Sequence, residues 1–190
     1  NFSSSSSSSS SQSNSSNKYK VELHVYDLSR GLAKQMSMGL VGKQIDAIYH
    51  TGIVVYGQEF YFGAGIFSEQ PGKTRFGTPM EVIPLGETEI PQTVFEDWIF
   101  AVRSRFTMHT YNLFDHNCNN FTNEASQFLL DKPIPSHIIS LPREVETTPF
   151  GAMVKNMFSQ QMAPPMGDPN APQGTFSKSF NTQPNTVHQS

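Results

Sequence analysis

The stretch Asn117-Cys118-Asn119-Asn120-Phe121-Thr122-Asn123-Glu124-Ala125-Ser126-Gln127-Phe128-Leu129-Leu130 contains the only cysteine of the 190-residue chain. Cys118, Phe121, Ala125, Phe128 and Leu129 fall on one side of a helix, and Asn117 or Asp115 is available as its N-cap. The cysteine therefore stands at a helix start. Unpaired backbone N–H groups and the positive end of the helix dipole favour a thiolate there. The same N–H groups can receive the negative oxygen that forms when a carbonyl is attacked. On residue type alone, a lone helical cysteine is more often core packing than chemistry, so the reading needs a base.

Working upstream, Val21, Leu23 and Val25 alternate with Glu22, His24 and Tyr26, the period of a half-buried strand. Ser29 is positioned to cap a glycine-broken, weakly helical segment over Gly31 to Gly39, and Gln44 to Ile48 is a short stretch of undecided type. His50-Thr51-Gly52-Ile53-Val54-Val55-Tyr56, then Gly57-Gln58, then Glu59-Phe60-Tyr61-Phe62 predicts a β-hairpin. Gly63, Gly65 and Pro71-Gly72-Lys73 mark a long loop, and Met80 to Leu85 a further strand. Thr93 with Glu96 resembles a capping box. It heads a helix of Val94, Trp98, Ile99, Val102 and Phe106 that ends near Arg105. Downstream of Cys118, Pro133 and Pro135 stop the helix, Ser136 opens a short one through Leu141, and Pro149 begins a last one carrying Met153, Val154 and Met157.

Residues 1 to 17 are almost entirely Ser and Asn, and from Gln161 onward Pro, Gln, Asn, Gly and Ser dominate. Neither stretch has apolar surface to offset the entropy of ordering, so both are expected to be disordered tails. One domain is expected over residues 18–160. The formal net charge of -3, with no block of Lys or Arg, argues against nucleic acid as a partner. The longest apolar runs fall far short of the roughly 20 residues needed to cross a bilayer. A single cysteine excludes an intramolecular disulfide framework and suits a reducing compartment, cytoplasm or nucleus. No metal site is expected, since Cys118 with His116 falls short of four ligands, and no cofactor motif is present.

A nucleophilic thiol calls for a histidine that can take its proton and return it to the leaving group. His188 lies in the tail, His24 on the polar side of a strand, and His109 and His137 in loop or boundary contexts. His116 is two residues from Cys118, an awkward spacing for mutual contact. His50 opens the most apolar strand. Spacing leaves the choice open.

Several blocks then act together: Val25-Tyr26-Asp27-Leu28-Ser29 with Gly31-Leu32-Ala33; Gly42-Lys43-Gln44; Tyr49-His50-Thr51-Gly52-Ile53-Val54-Val55; Glu59-Phe60-Tyr61-Phe62-Gly63; Tyr111 through Phe121 with Asn123-Glu124; Ile134-Pro135-Ser136; and Thr148-Pro149-Phe150-Gly151. With these blocks the chain resembles the PPPDE family of permuted papain-fold peptidases, and within it the desumoylating isopeptidases. The resemblance spans nearly all of residues 20–160. It implies an α+β fold, a small antiparallel sheet or open barrel flanked by helices. It implies His50 and Cys118 as a catalytic dyad, histidine preceding cysteine as circular permutation requires. It further implies hydrolysis of the isopeptide bond after the terminal glycine of SUMO or another ubiquitin-like modifier, through a thioester, by a homodimer. Asn112 and Asn117 are the candidates for orienting the imidazole or serving the oxyanion, whereas Asn119, Asn120 and Asn123 read as helix capping or polar surface. An acyl-protein thioesterase using the same dyad and a non-catalytic modifier-binding adaptor are the alternatives.

Overall fold

The computed structural model describes residues 17–139, 145–162 and 178–179. Most of the two expected tails, residues 1–16, 163–177 and 180–190, lies outside the described residues, as does 140–144. The architecture is α+β, built on an antiparallel sheet as the family resemblance implies. Its strands are β1 (Tyr19–Asp27), β2 (Tyr49–Val55), β3 (Gln58–Phe62), β4 (Ile66–Glu69), β5 (Glu81–Thr88) and β6 (Lys178–Ser179), in the order β5-β1-β2-β3-β4-β6. The helices are α1 (Leu32–Val41), α2 (Gln92–Val102), α3 (Cys118–Leu130), the single turn α4 (Ser136–Ile139) and α5 (Pro149–Met162).

Strand alternation sorts the side chains. Val21, Leu23 and Val25 of β1, Ile53 and Val55 of β2, and Phe60 and Phe62 of β3 point to one face, where α2 and α3 bring Phe95, Ile99, Phe121, Ala125 and Leu129 to close the main core. A second, smaller core joins Leu28, Ala33, Ile45, Ile48, Phe114 and Cys118 to Val145, Phe150, Val154 and Phe158 around α5. Cys118 belongs to this second core.

The β2–β3 hairpin turns through Tyr56 (φ 53°) and Gly57 (φ 72°), both left-handed, as a two-residue turn matching the twist of its strands requires. The two-residue turn thus lies one residue earlier than predicted, with Val55 opposite Gln58. Within the predicted loop after Gly63 the chain forms β4, whose register with β3 pairs Phe62 with Ile66. Glycine on either side conceals that four-residue strand in the sequence.

Two local expectations are corrected. Thr93 does not cap α2, which starts at Gln92 after an extended Pro91 (φ -64°, ψ 150°) without a side-chain cap; Gln92 itself takes Glu96, Nε2 to Oε1 3.1 Å. Proline fixes that boundary two residues earlier than the capping pattern suggests. His24 is not on a solvated face either. It is buried, with Nδ1 3.2 Å from Glu59 Oε2, because the loop after β4 covers the second face of the sheet.

Asp27, at the end of β1, ties three elements together. Its carboxyl oxygens accept from Ser29 N (2.9 Å), Ser29 Oγ (2.6 Å), Gly31 N (2.7 Å) and Ile48 N (3.1 Å). Ser29 Oγ in turn accepts from Ala33 N at 3.1 Å, so the expected cap on α1 acts from two residues before its Gly31 N-cap. Gln44–Ile48 takes no regular structure. It runs beside the start of α3, tethered by Ser37 Oγ to Ile45 N (2.8 Å) and by Gln44 Nε2 to Lys34 O (3.0 Å).

Candidate active site

Cys118 is the first residue of α3, and Asn117 is the N-cap. Asn117 Oδ1 accepts from the backbone N–H groups of Asn119 (2.9 Å) and Asn120 (3.2 Å), and Asn120 Oδ1 accepts from Asn117 N at 2.8 Å, a full capping box. Asn117 Nδ2 donates to Leu113 O at 2.7 Å. Its amide is thus taken up in starting the helix. Asn112 is exposed, and its Oδ1 accepts from Phe114 N (2.9 Å) and Asp115 N (3.2 Å), closing the turn before the helix. The Asn117 amide N–H thus serves Leu113 and not the sulfur. His116 stacks on Phe106 with centroids 4.7 Å apart, and its Nδ1 lies 3.1 Å from Thr110 O.

The helix is docked on β2 by a buried polar clamp. Thr51 Oγ1 donates to Asn119 Oδ1 at 2.8 Å and lies 2.6 Å from Thr122 Oγ1. Asn119 Nδ2 donates to Tyr49 O (3.0 Å) and to Ile138 O (3.1 Å). Asn119, read from sequence as surface or capping, is therefore the joint between α3, β2 and α4. Its position one residue after the cysteine, on the helix side facing the strand, is the signal that identifies it. Asn120 keeps the capping role expected of it, and Asn123 Oδ1 accepts from Ile134 N at 3.1 Å.

Beside the sulfur lies a groove of about 240 Å³. The Gln44–Tyr49 segment forms one wall; Leu113, Asn117 and Asn119, with His137, Ile138 and Phe158, complete it. His137 is exposed, as expected, yet it shares this groove with Cys118 and sets its ring edge-on to Tyr49 at 6.0 Å. Around the thiol, Sγ donates to Asn119 Oδ1 at 3.7 Å and the Tyr111 hydroxyl donates to Sγ at 4.0 Å. Burial pushes the thiol up to about 11, against the lowering effect of the Thr51 backbone, the Tyr111 hydroxyl and the backbone N–H groups that open the helix.

His50 follows Tyr49 on β2 and, by alternation from Thr51, points to the other face of the strand. There its ring meets Phe76 at 3.7 Å, Tyr26 at 5.7 Å and Tyr61 at 5.7 Å. It is fully buried, and neither ring nitrogen has a hydrogen-bond partner. Burial, and secondarily the Arg75 charge, pushes its pKa down to about 3, so the ring is neutral at physiological pH. Phe76 links the two residues: it stacks on His50 and packs against the core that contains Cys118. The structure thus shows a buried thiol and a buried imidazole with no hydrogen bond between them.

The surround of His50 is itself braced. Glu59, buried, accepts from Tyr26 Oη (2.7 Å) and from Gly72 N (2.9 Å), beside its contact with His24. Gly52, next to His50 on the same face, leaves room for this carboxyl group. A Cβ there would stand 2.5 Å from Glu59 Oε1.

The profile of the family described as "PPPDE putative peptidase domain" matches residues 19–159. The chain belongs to this family. Three curated relatives agree. Human "Desumoylating isopeptidase 1" is 47% identical over 152 residues, covering 78% of this chain and 90% of the relative. The rat protein of that name is 46% identical over 153 residues (79% and 91%), and the Xenopus laevis protein 44% over 149 residues (77% and 88%). The family's match and the α+β architecture carry the sequence-based expectations of kinship and fold.

Proposed function

We propose that this PPPDE family member is a cysteine isopeptidase that removes SUMO, or a related ubiquitin-like modifier, from lysine conjugates. The observation that carries the reading is a buried thiol at the start of a fully capped helix, lining a narrow groove, in a chain 47% identical to a desumoylating isopeptidase. About 240 Å³ is below the roughly 300–1,000 Å³ of pockets that enclose drug-sized ligands, so the groove suits an extended, glycine-ended chain.

In the reaction, His50 takes the thiol proton and Cys118 Sγ attacks the carbonyl of the modifier's terminal glycine. Negative charge moves from sulfur to the carbonyl oxygen, towards the N–H groups at the α3 start. The tetrahedral intermediate collapses, the lysine amine leaves with the proton from His50, and the thioester remains. Water, activated by the same imidazole, then releases the modifier and restores the thiol. Because the resting imidazole has no bond to the sulfur, His50 and its Phe76 cover rearrange when the dyad closes.

A second reading, acyl-protein thioesterase, is favoured by the apolar groove residues Ile45, Ala47, Ile48, Leu113, Ile138 and Phe158. The same attack on a fatty acyl thioester would need no protonated amine leaving group. SUMO and ubiquitin probes bearing a C-terminal electrophile separate the readings. Labelling by the SUMO probe that disappears in Cys118→Ala and weakens in His50→Ala supports the isopeptidase. A folded protein labelled by neither modifier but active on an acyl thioester shifts the assignment to the thioesterase.

The proposal includes the homodimer and the cytoplasmic or nuclear location that the resemblance implies. Exposed Met80 and Val82, at the start of the outer strand β5, offer apolar surface to a second copy, and sedimentation velocity tests that association. Among the described residues no helix is long and apolar enough to cross a membrane.

A further inference from the structure

We propose that the Tyr111 hydroxyl is the side-chain hydrogen-bond donor of the active site, serving first the Cys118 thiolate and then the oxyanion that forms from the attacked carbonyl. The inference deepens the reading of Cys118 as nucleophile and rests on it.

Three observations point to Tyr111. First, among the described residues it is the side chain that donates to Sγ, at 4.0 Å; Asn119, the other side chain at the sulfur, presents its oxygen and so favours the neutral thiol. Second, the hydroxyl is rigidly presented. The Tyr111 ring lies between Phe62 and Phe158, with centroids 5.0 Å from each, and the next residue is pinned by the paired bonds Asn112 N to His116 O (2.8 Å) and His116 N to Asn112 O (2.9 Å). Third, Asn117 spends its amide N–H on Leu113 O, and Asn112 is exposed with its oxygen held in the turn, so neither donates to the sulfur where Tyr111 does.

The role is hydrogen bonding without proton transfer. Burial, and then the neighbouring sulfur, keeps the Tyr111 hydroxyl well above its ordinary range, so it retains its proton throughout. On attack, the sulfur lone pair forms the S–C bond and the carbonyl π pair moves onto oxygen. The negative charge shifts from one atom near the donor to another. On collapse the C–N bond breaks, and the amine takes its proton from His50. Tyr111 ends as it began.

Tyr111→Phe retains the ring and its contacts and removes only the donor. In this variant we expect the pH midpoint of Cys118 alkylation by iodoacetamide to rise by about one unit. On a SUMO substrate we expect kcat to fall about 100-fold with KM nearly unchanged, the loss typical of an oxyanion donor. Replacing Tyr111 with 3,5-difluorotyrosine, a stronger donor, should move the alkylation midpoint the other way, which a purely structural role would not produce. An unchanged midpoint in both proteins, each with wild-type thermal stability, overturns the inference. If SUMO probes fail to label the wild type while the midpoint still shifts in opposite directions, the substrate reading fails and the Tyr111–Cys118 pair stands.

Discussion

Phe76 lies against His50 with ring centroids 3.7 Å apart and planes inclined by 32°, closing the imidazole away from solvent. Burial is the first cause of the ring's pKa being pushed down to about 3, and Phe76 is the ring packed nearest to it. Phe76→Ala should let water reach the ring and raise its pKa towards 6.5, read from the imidazole proton shifts in an NMR titration. A midpoint that stays near 3 would place the cause of the depression elsewhere.

Stability should fall on both sides of neutrality, with identifiable contributors. In the unfolded chain His50 titrates near 6.5, in the folded chain near 3, so its contribution is complete above about 6.5 and is lost as pH falls towards 3. Cys118 is the reverse case. Its thiol is raised from 9.0 to about 11, so its contribution is complete below about 9 and is lost as pH rises towards 11. Thermal melts across pH should show the acid-side fall reduced in His50→Gln and the alkaline-side fall reduced in Cys118→Ala.

Thr51→Val keeps the shape of the side chain and breaks the clamp between β2 and α3. Asn119 Oδ1 loses its hydroxyl donor and keeps only the longer contact from Cys118 Sγ, and Thr122 Oγ1 loses a neighbour in a buried setting. A destabilisation of about 1–3 kcal/mol is expected from urea unfolding. The turnover number should fall as well, because the clamp sets the distance between the strand and the cysteine. A neutral result would mean that packing alone docks the helix.

Asn117→Asp separates stability from chemistry. Aspartate caps a helix about as well as asparagine, so unfolding should change little, whereas Asn117→Ala should cost about 0.5–2 kcal/mol. The added carboxylate, however, sits one residue from Cys118 and opposes a second negative charge. Thiol alkylation at neutral pH should slow in Asn117→Asp despite its intact fold. Equal alkylation rates in the two proteins would contradict this.

Gly52→Ala is expected to be costly for a residue on a regular strand. The added methyl would meet Glu59, which is held by Tyr26, His24 and Gly72 and has little freedom to give way. A loss of about 1–3 kcal/mol should appear in chemical denaturation. The pairing of Gly52→Ala with Glu59→Ala should recover part of the clash while leaving the loss of the Glu59 bonds.

Much of this arrangement is legible in the sequence. The alternation over Val21–Tyr26, the hairpin between the His50 and Glu59 runs and the apolar stripe after Cys118 are local signals, and local signals set strand face and helix phase. The Asn117 cap is readable for the same reason. What the sequence does not disclose is long-range. His24 looks solvent-facing because its strand alternates, and only the loop that passes over Glu59 buries it. His50 looks like a base at an open strand mouth, but Phe76, 26 positions later, covers it. Tyr111 goes unmarked because its hydroxyl acquires meaning only when the turn over Asn112–His116 folds it back to the sulfur. Thr93 misleads because a capping pattern competes with a proline two residues earlier.

The Gln44–Ile48 wall of the groove belongs to no strand. Side chains fasten most of it, the Asp27 carboxyl at Ile48, the Ser37 hydroxyl at Ile45 and the Gln44 amide at Lys34, beside one backbone bond from Leu28 N to Ile48 O. Such fastenings can let go in a small local excursion that leaves every sheet ladder intact. The width of the slot beside Cys118 is therefore set by this wall and not by the pairing of the strands. An extended glycine tail can be admitted by movement on one side alone, while the strand β2 and the helix α3 stay clamped to each other through Thr51 and Asn119.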